Sequence, residues 1–318
     1  MAHLVPIPSN RKLIEAAYRP STISAYQSAV HAFIRWTINK GEKAYNVEEL
    51  DMILADYIDY LWESQKGKQR AINVYHGIVL YMQHTRYHLH ESRLSIRGWN
   101  RLKPPRSYPP FTWDLAVLIA CQMSRMGYIK YAIATLLAFD CYLRIGEFVS
   151  LTKNDIAHSY DKRLGSLVNR MSLRLVKTKT GTNQWVDVQS GDVVMLLRTL
   201  LHDIHAHQLV FDFSANQYRH IFHLVCSSLG LGSVGYVPHS LRHGGATRDF
   251  MLGMPVEDVL LRGRWQSTKT ARIYIQTGRA LLLSVSVSDH LYEIANRLTS
   301  NLPLSITMAY SQFLNTTI

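Results

Sequence analysis

Residues 238–275 read PHSLRHGGATRDFMLGMPVEDVLLRGRWQSTKTARIYI, and the order of side chains in this stretch decides how the rest of the chain is read. Pro238 brings a fixed φ suited to the first turn of a helix, and His239 and Arg242 follow it three residues apart. At that spacing both side chains leave the same side of a first turn whose unpaired N–H groups also favour an anion. Taken alone, HSLR reads as a capping histidine beside a surface arginine. Breaks at Gly253–Pro255 and at Gly263 interrupt the helical pattern, and Trp265 stands nine residues before Tyr274, itself in a short helical segment. Taken alone, Tyr274 reads as a core tyrosine packing beside Ile273 or Ile275.

Working upstream, residues 128–151 are apolar nearly all round, which predicts a buried helix with Arg144 inside it. A buried guanidinium must find an anion, and Glu147, three residues on, is the internal candidate. Residues 172–176 and 184–188 are β-prone and flank Lys179, Thr180 and Gly181, so a hairpin is predicted with Lys179 near its turn. Val193, Leu196, Leu197, Leu200 and Ile204 resume helical spacing, and helices dominate from Asn216 onward. An arginine, a hairpin lysine, a His-x-x-Arg pair, a tryptophan and a tyrosine therefore come in one order. That is the set which phosphoryl transfer to a tyrosine requires.

From Thr22 to about Lys103 the pattern is helical. Ile23, Tyr26, Val30 and Phe33 mark one helix, and Val47, Leu50, Leu54, Tyr57 and Leu61 a second, opened by a capping box of Asn46 with Glu49. A third carries Ile72, Val79 and Met82. The segment 103–110, KPPRSYPP, holds four prolines and cannot continue a helix, so it reads as a linker. Two domains are expected: a helical one at 1–103 and a second at 111–318 with a C-terminal tail after 275, joined by a proline-rich linker at 104–110. The fold class expected is mainly α with a small antiparallel β-sheet.

The formal charge is +12, from 35 Lys and Arg against 23 Asp and Glu. It is shared evenly: 15 basic against 9 acidic residues before Ser107 and 20 against 14 after it, +6 in each part. Both halves thus suit a polyanion such as nucleic acid, with a solvated basic surface as the bland alternative. Cys121, Cys141 and Cys226 form no CxxC pair and read as buried thiols of a reducing compartment. No apolar run has the length of a membrane span or a signal peptide, so an intracellular protein with no membrane association is expected. His202, His205 and His207, and likewise His84, His88 and His90, lack a completing cysteine or carboxylate and read as solvated; no metal is expected.

Together these motifs resemble the tyrosine recombinases, the phage integrase and Xer- or Cre-like site-specific DNA recombinases, over essentially the whole chain. LRIGE at 143–147 looks like the family's first arginine box, TKTG at 178–181 like its hairpin lysine, and 239–275 like its long second box. The GRW wording is closest to recombinases of eukaryotic-type mobile elements. The resemblance implies a helical, SAM-like core-binding domain and a catalytic domain of the DNA breaking-rejoining fold. It implies catalytic roles for Tyr274 as nucleophile, Arg144 and Arg242 as phosphate ligands, His239 and Trp265 as phosphate or proton partners, and Lys179 as general acid, with Glu147 in support. Trp265 stands where most relatives have His, and its indole N–H can still donate. Lys177 competes with Lys179, which is preferred for its place before the Thr180–Gly181 turn.

The same resemblance implies a double-stranded DNA recombination site as partner, a dimer on each site and a tetramer in synapsis, with the tail, including 291–298, docking on a neighbouring protomer. No cofactor and neither metal nor ATP is implied. Arg86, Arg93, Arg97, Arg101, Lys103, Lys177 and His243 are the expected DNA contacts. A type IB topoisomerase or telomere resolvase would share the tyrosine step, and a non-catalytic domesticated DNA-binding protein is the alternative of a different class.

Overall fold

The computed structural model describes residues 12–104, 108–157, 171–178, 181–285 and 287–317. The chain divides into two units, Met1–Arg106 and Ser107–Ile318.

In the first unit the apolar stripes do what their spacing predicts. α1 (Lys12–Ala16) precedes α2 (Pro20–Lys40), α3 (Val47–Glu63) and α4 (Lys68–Tyr81), and after a short 3₁₀ turn comes α5 (His90–Leu102). Leu50, Ile53, Leu54, Tyr57, Ile58 and Leu61 form the buried face of α3, meeting Val30 and Phe33 of α2 and Val74 and Ile78 of α4. Asn46 caps α3, its Oδ1 accepting from the Glu49 N–H at 2.8 Å, while Glu49 reaches one residue further back, to the Tyr45 N–H at 2.7 Å. The third predicted helix ends at Tyr81, with Met82 as its cap. Buried Asp51 then accepts from the Glu91 and Ser92 N–H groups at 2.8 and 2.9 Å, tying the start of α5 to α3. Arg93, Arg97 and Arg101 recur every fourth residue along α5 and are exposed, as are Arg86 and Lys103.

The second unit begins with α6 (Trp113–Arg125) and α7 (Ile129–Asp140), both buried almost throughout. Here the structure corrects the sequence reading: the apolar run 128–151 is not one helix. It stops at Asp140, turns through Tyr142 with φ of +49°, and resumes as the single turn α8 (Ile145–Phe148), with Arg144 in an extended conformation as its N-cap. A left-handed tyrosine is strained by roughly 1–2 kcal/mol. The strain is offset because the turn presents the Tyr142 carbonyl to two buried guanidiniums, described below.

Strands β1 (Ile156–Ala157), β2 (Met171–Lys177) and β3 (Thr182–Val188) form an antiparallel sheet in that order, with Leu173 opposite Val186 and Lys177 opposite Thr182. The predicted hairpin strands are present, each two residues longer than expected, and β1 is an addition. α9 (Gly191–His202) and α10 (Ala215–Ser228) follow, then α11 (Pro238–Met251), α12 (Val256–Gly263), α13 (Thr268–Tyr274) and α14 (Thr277–Ser284).

The last helices, α15 (Asp289–Thr299) and α16 (Leu302–Thr317), correct a second expectation. They pack in cis on α6: Ala295, Leu302 and Ile306 are fully buried in the core of their own unit, and Ser124 Oγ donates to the Ile306 carbonyl at 2.7 Å. The segment 291–298, which the resemblance implied would dock on a neighbour, covers this core, with Leu291 and Leu298 packed on it. Among the described residues no helix is long and apolar enough to cross a membrane.

Candidate active site

The first turn of α11 sets the site. Val237 is extended, Pro238 opens the helix, and His239, Arg242 and His243 follow on adjacent positions of its surface. Arg242 is wholly buried. Its Nη1 donates to the Tyr142 carbonyl and its Nη2 to that of Gly263, so the fork is fixed by the turn after α7 and by the end of α12. Its guanidinium carbon lies 4.6 Å from the Trp265 ring centre and 5.3 Å from that of Tyr274.

Tyr274 is the last residue of α13 and half-buried. Its ring packs 4.6 Å from Trp265 on one side and 4.6 Å from His243 on another, with His239 edge-on at 5.5 Å. Its carbonyl accepts from Thr247 Oγ1 at 3.1 Å, and Thr247 Oγ1 accepts in turn from the Gln276 N–H at 3.1 Å, so α11 holds the end of α13 by its backbone. Ile273 is 60 % exposed, whereas Tyr274 and Ile275 both pack on a small apolar cluster of Tyr142, Ala246, Val259, Trp265 and Ala271, which supports the ring from below.

Arg144 joins from the other side. Its Nη1 donates to Glu147 Oε1 at 2.7 Å and its own N–H to Glu147 Oε2 at 2.9 Å, the internal pair the sequence suggested. A third guanidinium, missed by the sequence reading, completes the arrangement: Arg264, 7 % exposed, donates Nη2 to Glu147 Oε2 at 2.9 Å and to the Tyr142 carbonyl at 3.1 Å. Burial pushes the Glu147 pKa up, but the Arg264 charge and the Arg144 N–H outweigh it, so the carboxyl is held below its usual range. Burial, with the neighbouring Arg144 and Arg264 charges, pushes the Arg242 pKa down.

The charge count separates two layers. Beneath the site, Arg248 and Arg262 face Asp140 and Asp249, two cations against two anions, with the Tyr142 hydroxyl donating to Asp249. Among the described residues of the site, Arg144, Arg242 and Arg264 share the single carboxylate Glu147, which leaves two positive charges in excess. Three buried donors of the site, Arg242 Nε, Arg264 Nε and Trp265 Nε1, also lack an acceptor among the described residues. An unmet buried donor costs about 1–3 kcal/mol, so the arrangement is suited to an anion.

His243, expected as a DNA contact, is buried at 3 % exposure under Tyr274, with Nδ1 2.9 Å from Gln276 Nε2. Burial and then the neighbouring His239 push its pKa down to about 3. The folded chain therefore keeps it neutral, whereas the unfolded chain protonates it near pH 6.5. Its contribution to stability is complete above pH 6.5 and is lost as pH falls toward 3. Between pH 6.5 and 5 this should remove on the order of 2 kcal/mol, and His243→Gln should flatten that part of the slope. Thermal melts of both chains at pH 7 and pH 5 check it; equal losses would assign the slope to other groups.

Lys179 lies outside the described residues. Lys177 ends β2 and is exposed. Among the described residues no group of three or more His, Cys, Asp or Glu side chains is placed to hold a metal ion.

The Phage integrase family profile matches residues 115–279, just over half of the chain. The chain belongs to this family, the tyrosine recombinases. The matched span runs from α6 to α14 and includes every site residue above. The fold is similar to that of the Tn1549 transposon integrase bound to a circular intermediate DNA, with TM-score 0.62, 11 % identity, and 89 % of this chain and 100 % of that one covered. Its complex with transposon right end DNA gives TM-score 0.59 and 11 % identity, covering 87 % and 98 %. XerA recombinase superposes at TM-score 0.41 and 16 % identity, covering 91 % and 94 %. None of the curated proteins matches the sequence.

Proposed function

We propose that this chain is a site-specific DNA recombinase that cuts and rejoins double-stranded DNA through a 3′-phosphotyrosyl bond to Tyr274. The observation that carries this reading is the packing of the Tyr274 ring among His239, Arg242 and Trp265, beside three guanidiniums that share one described carboxylate.

In the first step the Tyr274 oxygen attacks the scissile phosphorus and the bond to the 5′ oxygen breaks. Charge spreads over the non-bridging oxygens, where the Arg144 and Arg242 guanidiniums and the Trp265 Nε1–H donate. His239 takes up the tyrosine proton or bonds a phosphate oxygen. Lys179 gives a proton to the departing 5′ oxygen. The phosphotyrosyl bond keeps the energy of the broken linkage, so a 5′ hydroxyl of a partner strand reverses the step with neither nucleotide nor metal. Pairwise exchange between two sites calls for two protomers on each, four in all. Exposed Arg86, Arg93, Arg97, Arg101 and Lys103 in the first unit are suited to backbone phosphates.

The test is incubation with a nicked suicide duplex carrying the terminal sequences of the element that encodes the chain. A protein–DNA adduct resistant to denaturation should form, and peptide mapping should put the nucleotide on Tyr274. No adduct on any such end, or an adduct on another residue, would overturn the reading.

A further inference from the structure

We propose that Arg264 is a positioning residue that keeps Arg144 available to a phosphate by drawing off Glu147; the inference rests on the phosphoryl-transfer reading of the site. Left to themselves, Arg144 and Glu147, three residues apart, would close into a two-pronged pair, both carboxylate oxygens against one guanidinium fork. Such a pair is neutral and leaves few of the arginine's donors for a substrate.

The structure has a different arrangement. Glu147 Oε2 is engaged by Arg264 Nη2 at 2.9 Å and by the Arg144 N–H at 2.9 Å, so only Oε1 remains for the Arg144 side chain, at 2.7 Å from Nη1. Among the described residues this is the only hydrogen bond the Arg144 guanidinium makes, and its Nε and Nη2 are left for another partner. The Arg144 side chain is 20 % exposed, whereas that of Glu147 is 3 % exposed.

Both terminal nitrogens of Arg264 are engaged within the protein. Its side chain is 3 % exposed, and its fork is spent on the carbonyls of Cys141 at 3.3 Å, Arg262 at 3.1 Å and Tyr142 at 3.1 Å besides Glu147. It therefore acts through Glu147. Its backbone, left-handed with φ of +57° at the end of α12, is the turn that also buries Trp265 beneath Tyr274. One turn thus delivers both the indole and the cation that balances Glu147.

The experiment compares the full chain with Arg264→Gln, Glu147→Gln and the double variant by two measurements. The first is single-turnover cleavage of the suicide duplex, with DNA affinity measured separately. Arg264→Gln should cleave about 10- to 100-fold more slowly with affinity little changed, the size typical of a group that orients a ligand. Adding Glu147→Gln removes the carboxylate that traps Arg144 and should recover at least about 5-fold of the rate, a coupling that a merely structural arginine would not give. The second is phenylglyoxal modification followed by peptide mapping, which needs no DNA: Arg144 labelling should fall in Arg264→Gln and return in the double variant.

Arg264→Lys, which keeps one charge on Glu147, carries the same comparisons should the glutamine variant fail to fold. Cleavage within about 3-fold of wild type, unchanged Arg144 labelling, or a double variant slower than either single one would overturn the proposal. A wild-type chain that never forms the adduct would sink the recombinase reading, while the labelling result would still decide the role of Arg264.

Discussion

Tyr274→Phe is expected to bind DNA as the wild-type chain does and to leave it uncut, with covalent adduct formation reduced by at least about four orders of magnitude. The substitution removes one oxygen and little else. Among the described residues the Tyr274 hydroxyl makes no hydrogen bond, and the ring's contacts with Trp265, His243 and Arg242 are all available to phenylalanine. Melting should therefore stay within about 2 °C of wild type, since no packing or buried polar group is lost. Tyr108 makes the test sharper. It is 43 % exposed and lies edge-on to His239 at 5.7 Å, so it is an exposed second phenol beside this site, unlike the buried Tyr142. A residual adduct in Tyr274→Phe that maps to Tyr108 would transfer the nucleophile's role to it.

How far the site was legible follows from the kind of signal each residue leaves. His239, Arg242, Trp265 and Tyr274 lie within one stretch of 36 residues, where proline, glycine and helical spacing fix the register, and the fold brings all four together. The break after Asp140 left no such mark. Tyr142 and Leu143 continue the apolar pattern, and the reason for the turn is tertiary: the Tyr142 carbonyl serves Arg242 and Arg264, 100 and 122 residues away. Arg264 was missed for a related reason. A buried arginine is conspicuous in an apolar run, as Arg144 was, but in LRGRWQSTK it looks like one more surface cation. His243 erred in the opposite direction, since a histidine beside an arginine resembles a phosphate contact, yet it is one helical turn below His239 and closed over by Tyr274. The docking of the tail was implied by the resemblance and not by its residues; Leu291 and Leu298 pack on the core of their own unit, and periodicity names a face that must be covered and not which surface covers it.

The pair Gly244–Gly245 carries the largest stability prediction. α11 crosses the end of α7 and the segment around Phe111 so closely that neither position has room for a methyl group. A Cβ on Gly244 would stand 2.7 Å from the Phe139 ring and 2.9 Å from the Phe111 nitrogen. One on Gly245 would meet the Phe139 carbonyl oxygen and lie 2.7 Å from Cδ1 of Tyr142. A side chain can rotate away from an added methyl, but a carbonyl inside α7 cannot, so relief requires α11 to move off α7. That movement would drag Arg242 from the Tyr142 carbonyl and break the backbone tie between Thr247 and Tyr274. Gly245→Ala should therefore lose at least about 3 kcal/mol, the upper range for an overpacked core, and melt roughly 10 °C below wild type. Gly278→Ala in α14, whose Cβ would meet nothing within 4 Å, should melt within about 2 °C of wild type and serves as the control. Where Gly245→Ala still folds at low temperature, it should bind DNA but cleave it slowly, because the first turn of α11 no longer holds Arg242 and His239 against the nucleophile. Equal melting of Gly245→Ala and wild type would mean that α11 and α7 do not approach this closely, and the placement of Arg242 would fall with that contact.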